Sequence, residues 1–311
     1  MPRCTLARAA AMMERMTRIP DLLAAGRTLS FEFSAPRDAE GQERLARTID
    51  RLSALRPAFM SVTYGAGGSS RGPTSEVVRG ILDRGTTAMP HLTCVAHTRA
   101  EVGAVIDAYQ AMGVRNLLAL HGDLPDGSSE LPSEHFRLAI DLVRFVRERV
   151  DWAIGVAAHP EGHPRAASRA DDLDHHAQKL AAADFAITQF FFDVAHYERF
   201  VEAMAARGVT TPVIPGVMPP TNADRVAAMS AMNGTEFPAA LRTCLEAAGE
   251  DLDARREIAI DVATRLGEAL LAAGAPGVHL YTLNFSEPAR TIARNLEALL
   301  GRGEASGIAR S

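Results

Sequence analysis

A glutamate stands between two phenylalanines in the run LSFEFS, residues 29–34. If the run is a strand, alternation puts Phe31 and Phe33 on one face and Glu32 on the other. A carboxylate on the inner face of a sheet is costly unless it is paired or protonated. Burial raises its pKa and makes it a candidate general acid at neutral pH. A structural ion pair with a buried arginine is the alternative for the same residue. Asp123 follows an apolar run in HGDLPDG, where Gly122 and Pro125 set a turn that presents the carboxylate just beyond a strand end. An aspartate that merely caps its own loop has the same appearance. Gln189, inside ITQFFF, is an amide among apolar neighbours and must be satisfied by the fold or by a ligand.

Thr63 and Tyr64 lead into GAGGSS, whose Gly65, Gly67 and Gly68 let backbone amides approach a ligand closely. Ser70 stands where a dinucleotide fingerprint needs its third glycine, so a ligand-contacting loop and a plain glycine turn both remain open. AAHPEGHP brings His159, Glu161 and His163 together. Pro160 and Gly162 break any helix there, so the histidines do not stand one turn apart and no metal site is expected. Cys4, Cys94 and Cys244 are scattered, which suits a reducing, cytoplasmic setting and neither a zinc knuckle nor a redox dithiol. His175 and His176, beside Asp172 and Asp174, read as an exposed helix face, and GEDLDARREI as a solvated helix start.

The elements that must position these groups come next. Eight short apolar runs recur at 29–34, 58–64, 87–94, 114–121, 152–158, 185–192, 212–217 and 278–284, each followed by a turn and a stretch of helical period. Glu32, Thr63, His91 and Asp123, near the ends of the first four runs, are spaced by 31, 28 and 32 residues, which fits strand, turn, helix and turn. The 68 residues from Gly216 to Asn284 read as several helices before the last strand. The pattern predicts an α/β fold, a single (βα)8 TIM barrel over residues 29–300 with an enlarged helical crossover before the last strand. A leading helical segment is expected over 1–28 and a flexible tail over 301–311. A doubly wound open sheet is the runner-up. In such barrels the reactive groups sit at the C-terminal strand ends.

With 311 residues, 47% of them hydrophobic and 23% charged, the chain can bury a large core. Its 33 basic and 38 acidic residues are interspersed and sum to −5, which speaks against a nucleic-acid partner. The apolar stretches of the opening MPRCTLARAAAMMERMTR are too short for a signal or a membrane span.

Taken together, SFEFSAPR, SVTYGAGG, PHLTC, HGDLP, AAHPEGHP, AITQFFFD, VIPGVMP and YTLN, in this order from about Leu29 to about Asn284, resemble the methylenetetrahydrofolate reductase family. The resemblance implies a barrel that binds FAD and folate and uses NADH or NADPH to reduce 5,10-methylenetetrahydrofolate to 5-methyltetrahydrofolate. It implies that Glu32 protonates nitrogen ten of the folate, opening the ring to a reactive iminium that accepts hydride. By the same resemblance Asp123 lies near the flavin pyrimidine and the pterin, and Gln189 touches both folate and nicotinamide. Thr63, Tyr64, Ala66, His91, Gly122, Ala139, His163, Asp172 and Lys179 match positions along the flavin and its phosphate and adenosine arm.

His121 stands where the family pattern has arginine, and His159 where it has a tyrosine. His175 and Gln178 replace an asparagine and an arginine, leaving Lys179 as the retained cation of that arm. On the folate side Arg225, Met229 and Phe285 replace a glutamine, a phenylalanine and an arginine. The family is commonly homo-oligomeric. Two rival readings share the barrel: a flavin-free lyase working through a Schiff base on Lys179, the only lysine of the chain, and a flavin-poor folate-binding or partner subunit.

Overall fold

The computed structural model describes residues 18–65, 71–95, 97–123 and 136–301. Six strands follow one another in parallel, each paired with the next: β1 (Thr28–Ser34), β2 (Phe59–Thr63), β3 (Ala88–Thr93), β4 (Asn116–Leu120), β5 (Ala153–Ala158) and β6 (Phe185–Thr188). The run at 212–217 forms two short strands, β7 (Val213–Ile214) and β8 (Gly216–Val217), because Pro215 has no N–H to give the ladder. β7 pairs with β6, and β8 pairs with β9 (Gly277–Tyr281). β9 returns to β1 in the register Leu29↔Val278 to Glu32↔Tyr281. The ring is thus complete apart from the break at Pro215, whose carbonyl still accepts from the His279 amide at 3.0 Å. All eight expected runs are strands of one (βα)8 barrel, the seventh split in two.

Alternation sorts the side chains into two cores. Phe31, Phe33, Val62, Leu92, Val156 and Leu280 face outward and are covered by helices. These helices are α1 (Ile19–Ala25), α2 (Ala39–Ser53), α3 (Arg71–Asp83), α4 (Arg99–Ala111), α5 (Ala139–Arg149), α6 (Arg169–Ala182), α7 (Val194–Ala205), α8 (Ala223–Asn233), α9 (Ala239–Ala247), α10 (Leu252–Ala272) and α11 (Ser286–Asn295). α2 is representative: the Asp38 side chain caps it by accepting from the Gly41 amide, and Leu45, Thr48, Ile49 and Leu52 bury one stripe. Inside the barrel, Phe59, Met89, Leu118, Ala153, Phe185, Ile187 and Ile214 form a separate apolar layer. α1 closes its lower end, with Ile19 buried and its amide donating to Asn116 Oδ1 at 2.8 Å. α1 falls within the expected leading segment; residues 1–17 and 302–311 lie outside the described residues.

Above the apolar layer the inward positions turn polar: Ser30 and Glu32, Ser61, His91, His279 and Tyr281. The enlarged crossover is also found, with α8, α9 and the 21-residue α10 between β8 and β9. Among the described residues no helix is long and apolar enough to cross a membrane.

At the seam, a Cβ on Gly216 would lie 2.5 Å from the Thr188 carbonyl oxygen and 2.5 Å from the Tyr281 ring. Gly216→Ala should therefore cost about 2 kcal/mol and lower Tm by roughly 5 °C in a calorimetric scan. Gly72→Ala, with open space around it on α3, should be neutral or stabilising; equal losses at both sites would contradict the packing described for the seam.

Candidate active site

A cavity of about 540 Å³ opens at the C-terminal ends of the strands. Glu32 (β1), Thr63 (β2) and His91 (β3) line it, with His121, Gly122 and Asp123 after β4, His159 and His163 after β5, Thr188 and Gln189 at the end of β6, and Tyr281 of β9. Ala139 at the start of α5 and Lys179 on α6 complete the wall on one side. One concavity thus gathers groups from seven strands, as barrel closure requires.

Glu32 does point inward, with its side chain 17% exposed. Its Oε2 lies 3.4 Å from His91 Nε2 and 3.5 Å from His279 Nε2. His279 is fully buried, stacked on Phe59 at 5.6 Å, with Nδ1 2.7 Å from Ser30 Oγ. A carboxylate only accepts, so His279 carries its proton on Nε2 and Ser30 donates to Nδ1. The expectation of a raised Glu32 pKa is corrected here. Burial pushes the carboxyl up, but His91, His279 and the Ser61 hydroxyl pull the other way and leave it below its ordinary value of 4.5. His91 itself is pushed down by burial, against the opposing effect of Glu32. The ion pair with a buried arginine is not what holds Glu32 among the described residues; imidazoles do.

The β4 turn is built around Gly122, whose φ of +86° is left-handed and whose Cβ would run into Thr93 and Val95 at 2.8 Å. The preceding His121 approaches the Gly122 carbonyl at 2.7 Å with Nδ1, so Nδ1 donates and Nε2 is left as a buried acceptor without a partner. Asp123 extends beyond the turn with its side chain 87% exposed and Arg165 3.8 Å away. Gln189 Oε1 accepts from the Phe190 amide at 3.0 Å.

The arm of the cavity along α6 is rich in imidazole. His159 packs edge-on against His163 at 4.7 Å and against His176 at 5.8 Å, and its buried Nδ1 has no partner. Burial, aided by the charges of Lys179, His163 and His176, pushes His159 down to about 2. His176, expected on an exposed face, is buried: it accepts from the His159 amide at 3.0 Å and donates to Asp172. The reason is that α6 turns His176, Asp172 and Leu180 together against the sheet. Burial brings the partly buried Lys179 ammonium down to about 8. Glu161 leaves the two histidines of its motif and accepts from the Glu236 amide at 2.8 Å, close to His196. Glu161, His196 and Glu236 form a compact group, but Arg199 donates to His196 Nδ1 at 3.0 Å, so Nε2 carries a proton and faces the two carboxylates at 3.6 and 4.0 Å.

Other expected positions do not reach this cavity. The Tyr64 side chain turns outward into the helix-covered core, edge-on to His97 at 5.9 Å. Asp172 is buried behind the wall, paired with Arg169 at 2.8 Å. His175 and Gln178 are exposed on the outer side of α6. Arg225 and Phe285 line a different cavity, and Met229 packs against the cluster of Phe190, Met218 and Val226. Ala66 lies outside the described residues. Sequence reasoning missed His279, Tyr281 and the serines Ser30 and Ser61. Strand alternation carried the signal for all four, since Ser30 and Glu32, Ser61 and Thr63, and His279 and Tyr281 are pairs two residues apart.

Burial holds His91, His159, His163 and His176 below the ordinary histidine value of 6.5. An unfolded chain takes up protons at 6.5 that the native state refuses, so this stability is present above 6.5 and is lost as pH falls below it. Each such group contributes up to about 1.4 kcal/mol per pH unit. Tm should fall steadily between about pH 6.5 and 5, before the carboxyls titrate, and His159→Asn should flatten that slope. An unchanged slope in the variant would show that His159 is protonated in the native protein.

Over residues 15–297 the chain matches the family model described as methylenetetrahydrofolate reductase. It is 39% identical over 270 residues to the 5,10-methylenetetrahydrofolate reductase of Salmonella typhimurium, covering 86% of this chain and 90% of that one. A rice (Oryza sativa subsp. japonica) protein described as a probable methylenetetrahydrofolate reductase (NADH) is 33% identical over 315 residues, 96% of this chain and 52% of its own length. Among solved structures, an uncharacterized Clostridium thermocellum protein that binds two copies of 5-methyl-5,6,7,8-tetrahydrofolic acid shares the fold. Its TM-score is 0.63 at 14% identity, covering 88% of this chain and 96% of that one. With this similarity over nearly its whole length, the chain, whose barrel turns the half-buried Glu32 inward, belongs to the methylenetetrahydrofolate reductase family.

Proposed function

We propose that the protein is an FAD-dependent enzyme that reduces 5,10-methylenetetrahydrofolate to 5-methyltetrahydrofolate with electrons from a reduced nicotinamide dinucleotide. The observation that carries this reading is the inward Glu32, held by imidazoles at the floor of the strand-end cavity of a family reductase. The wall also has the character a flavin dinucleotide asks for. His121 Nε2 and His159 Nδ1 are buried polar atoms without partners, Gly122 admits no side chain, and Lys179 supplies a cation. FAD bound there supplies two-electron hydride transfer between the nicotinamide and the folate. His159, His163 and Lys179 would hold its phosphate and adenosine arm, and Thr63, His91, His121 and Gly122 its ring.

The residues divide the remaining work by their chemistry. Glu32 holds the proton for nitrogen ten of the folate at a carboxyl oxygen. The pterin excludes water from the cavity, which increases the cost of the carboxylate and drives it to take up that proton. His279 fixes the carboxyl group in place while it does so, with Ser61 Oγ 3.3 Å from the same imidazole nitrogen. Gln189 has its Oε1 engaged by its own loop, which leaves the NH₂ end to orient a substrate. Asp123, a carboxylate at the rim, would disfavour negative charge on a ring bound beside it. The one strand-end cavity would serve both substrates in turn.

Purified protein should be yellow. In anaerobic stopped-flow absorbance, Glu32→Gln should keep reduction of the flavin by the nicotinamide and slow its reoxidation by methylenetetrahydrofolate by about 100-fold or more. Equal survival of both half-reactions would remove Glu32 from the proton-donor role.

A further inference from the structure

One charged group of the strand-end cavity has no part in the chemistry above. Arg165 is the one arginine among the described residues that line it. It stands on a turn between β5 and α6, in which Pro164 fixes the backbone at the first corner and the Ala166 amide closes on the His163 carbonyl at 2.9 Å. The Arg165 amide donates to His163 Nδ1 at 3.2 Å, which leaves the proton of that imidazole on Nε2. The guanidinium reaches toward the loop after β4, where Asp123 lies 3.8 Å away. Both side chains are largely exposed, 54% and 87%, so this pair holds Arg165 only weakly.

An apolar surface stands beside the same turn. Met232, near the end of α8, lines the cavity while 73% exposed. The end of α8 abuts the turn, since a Cβ on Gly234 would lie 3.4 Å from the Pro164 ring. Met232 and Pro164 therefore offer an apolar face next to an available guanidinium, both at the rim of one cavity.

This pairing constrains the ligand. Lys179 and His163, both less exposed than Arg165, are the donors assigned above to the flavin arm. Each phosphorus of a diphosphate carries one charge and gains little over the Asp123 carboxylate. A phosphomonoester carries close to two charges at neutral pH and three terminal oxygens, two of which match the guanidinium fork. It is the anion that displaces Asp123. The methionine thioether and the proline ring suit the flat face of a nucleobase attached to such a phosphate. The two reduced nicotinamide dinucleotides differ by one group of this kind, the phosphomonoester on the 2′-oxygen of the adenosine ribose.

We propose that Arg165 selects NADPH over NADH, taking the 2′-phosphomonoester on its guanidinium with the adenine laid on Met232 and Pro164. The inference rests on the reductase reading for the presence of a nicotinamide donor, whereas the phosphate contact stands on its own residues.

The test follows flavin reduction on the holoenzyme by NADPH and by NADH under anaerobic conditions. At low ionic strength kcat/KM should be roughly tenfold higher for NADPH, the yield of one charge-assisted pair at the rim, and the ratio should shrink in high salt. Arg165→Gln should bring the ratio near one through the KM of NADPH, Arg165→Lys should keep part of it, and Arg165→Glu should favour NADH. The side chain is more than half exposed, so these variants keep the fold. A ratio near one in the unaltered enzyme, or a preference for NADPH that survives Arg165→Gln, would overturn the assignment and leave the reductase reading standing. So would weaker FAD binding in Arg165→Gln with an unchanged ratio, which puts the guanidinium on the flavin diphosphate. No flavin reduction by either dinucleotide would instead overturn the reductase reading. Calorimetric titration with adenosine 2′,5′-bisphosphate and with adenosine 5′-monophosphate then decides the phosphate contact alone: tighter binding of the bisphosphate, lost in Arg165→Gln, supports it, and equal binding overturns it.

Discussion

A carboxylate inside a closed barrel has few ways to recover the hydration it gives up, and the upper half of this barrel is organised around that cost. An unpaired buried carboxylate costs several kcal/mol, whereas charge-assisted hydrogen bonds return roughly 1.5–3 kcal/mol each. Glu32 has His279 and Ser61 within hydrogen-bonding reach and His91 beside it. His279 is in turn fixed by Ser30 and by stacking on Phe59. These partners come from four strands, so Glu32 is correctly held only when the ring is closed. The same arrangement leaves it ready to change protonation when water is displaced, which is what a proton donor to a bound pterin must do.

Closure also explains the split between the two ends of the barrel. Below, Phe59, Met89, Phe185 and Ile214 fill the interior and Ile19 seals it. Above, the side chains turn polar and the loops open a cavity whose far wall is α6. That helix presents Asp172 and His176 to the sheet and Lys179 to the cavity, so one turn sequence serves packing and another serves ligand binding. Gly216 and Tyr281 meet at the split seventh strand, where the Tyr281 hydroxyl donates to the Thr188 carbonyl at 2.5 Å. The seam is thus tied down next to Gln189.

Much of this was legible in the residues. Eight short apolar runs predicted eight strand positions, and the alternation of Phe31, Glu32 and Phe33 predicted which way the glutamate points. The shortened β6 is the exception: Gln189 to Phe192 read as strand but leave the sheet, since strand propensity does not reveal where pairing stops. The protonation of Glu32 was not legible, because its partners lie 59 and 247 residues away and only the closed ring brings them together. His176 was misjudged because its flanking aspartates suggested solvent, whereas helical phase turns it inward. Arg225 and Phe285 were grouped with the first cavity by resemblance. The structure places both in a second cavity, Arg225 from the start of α8 and Phe285 from the segment after β9.

The most direct test of this account is the ionisation of Glu32 itself, read by infrared difference spectroscopy between the unaltered protein and Glu32→Gln across a pH titration without substrate. The account requires an ionised carboxylate band at about pH 6 that gives way to the protonated form only below the ordinary value of 4.5. A protonated carboxyl band persisting at neutral pH would contradict it, because the imidazoles would then not be what holds the charge.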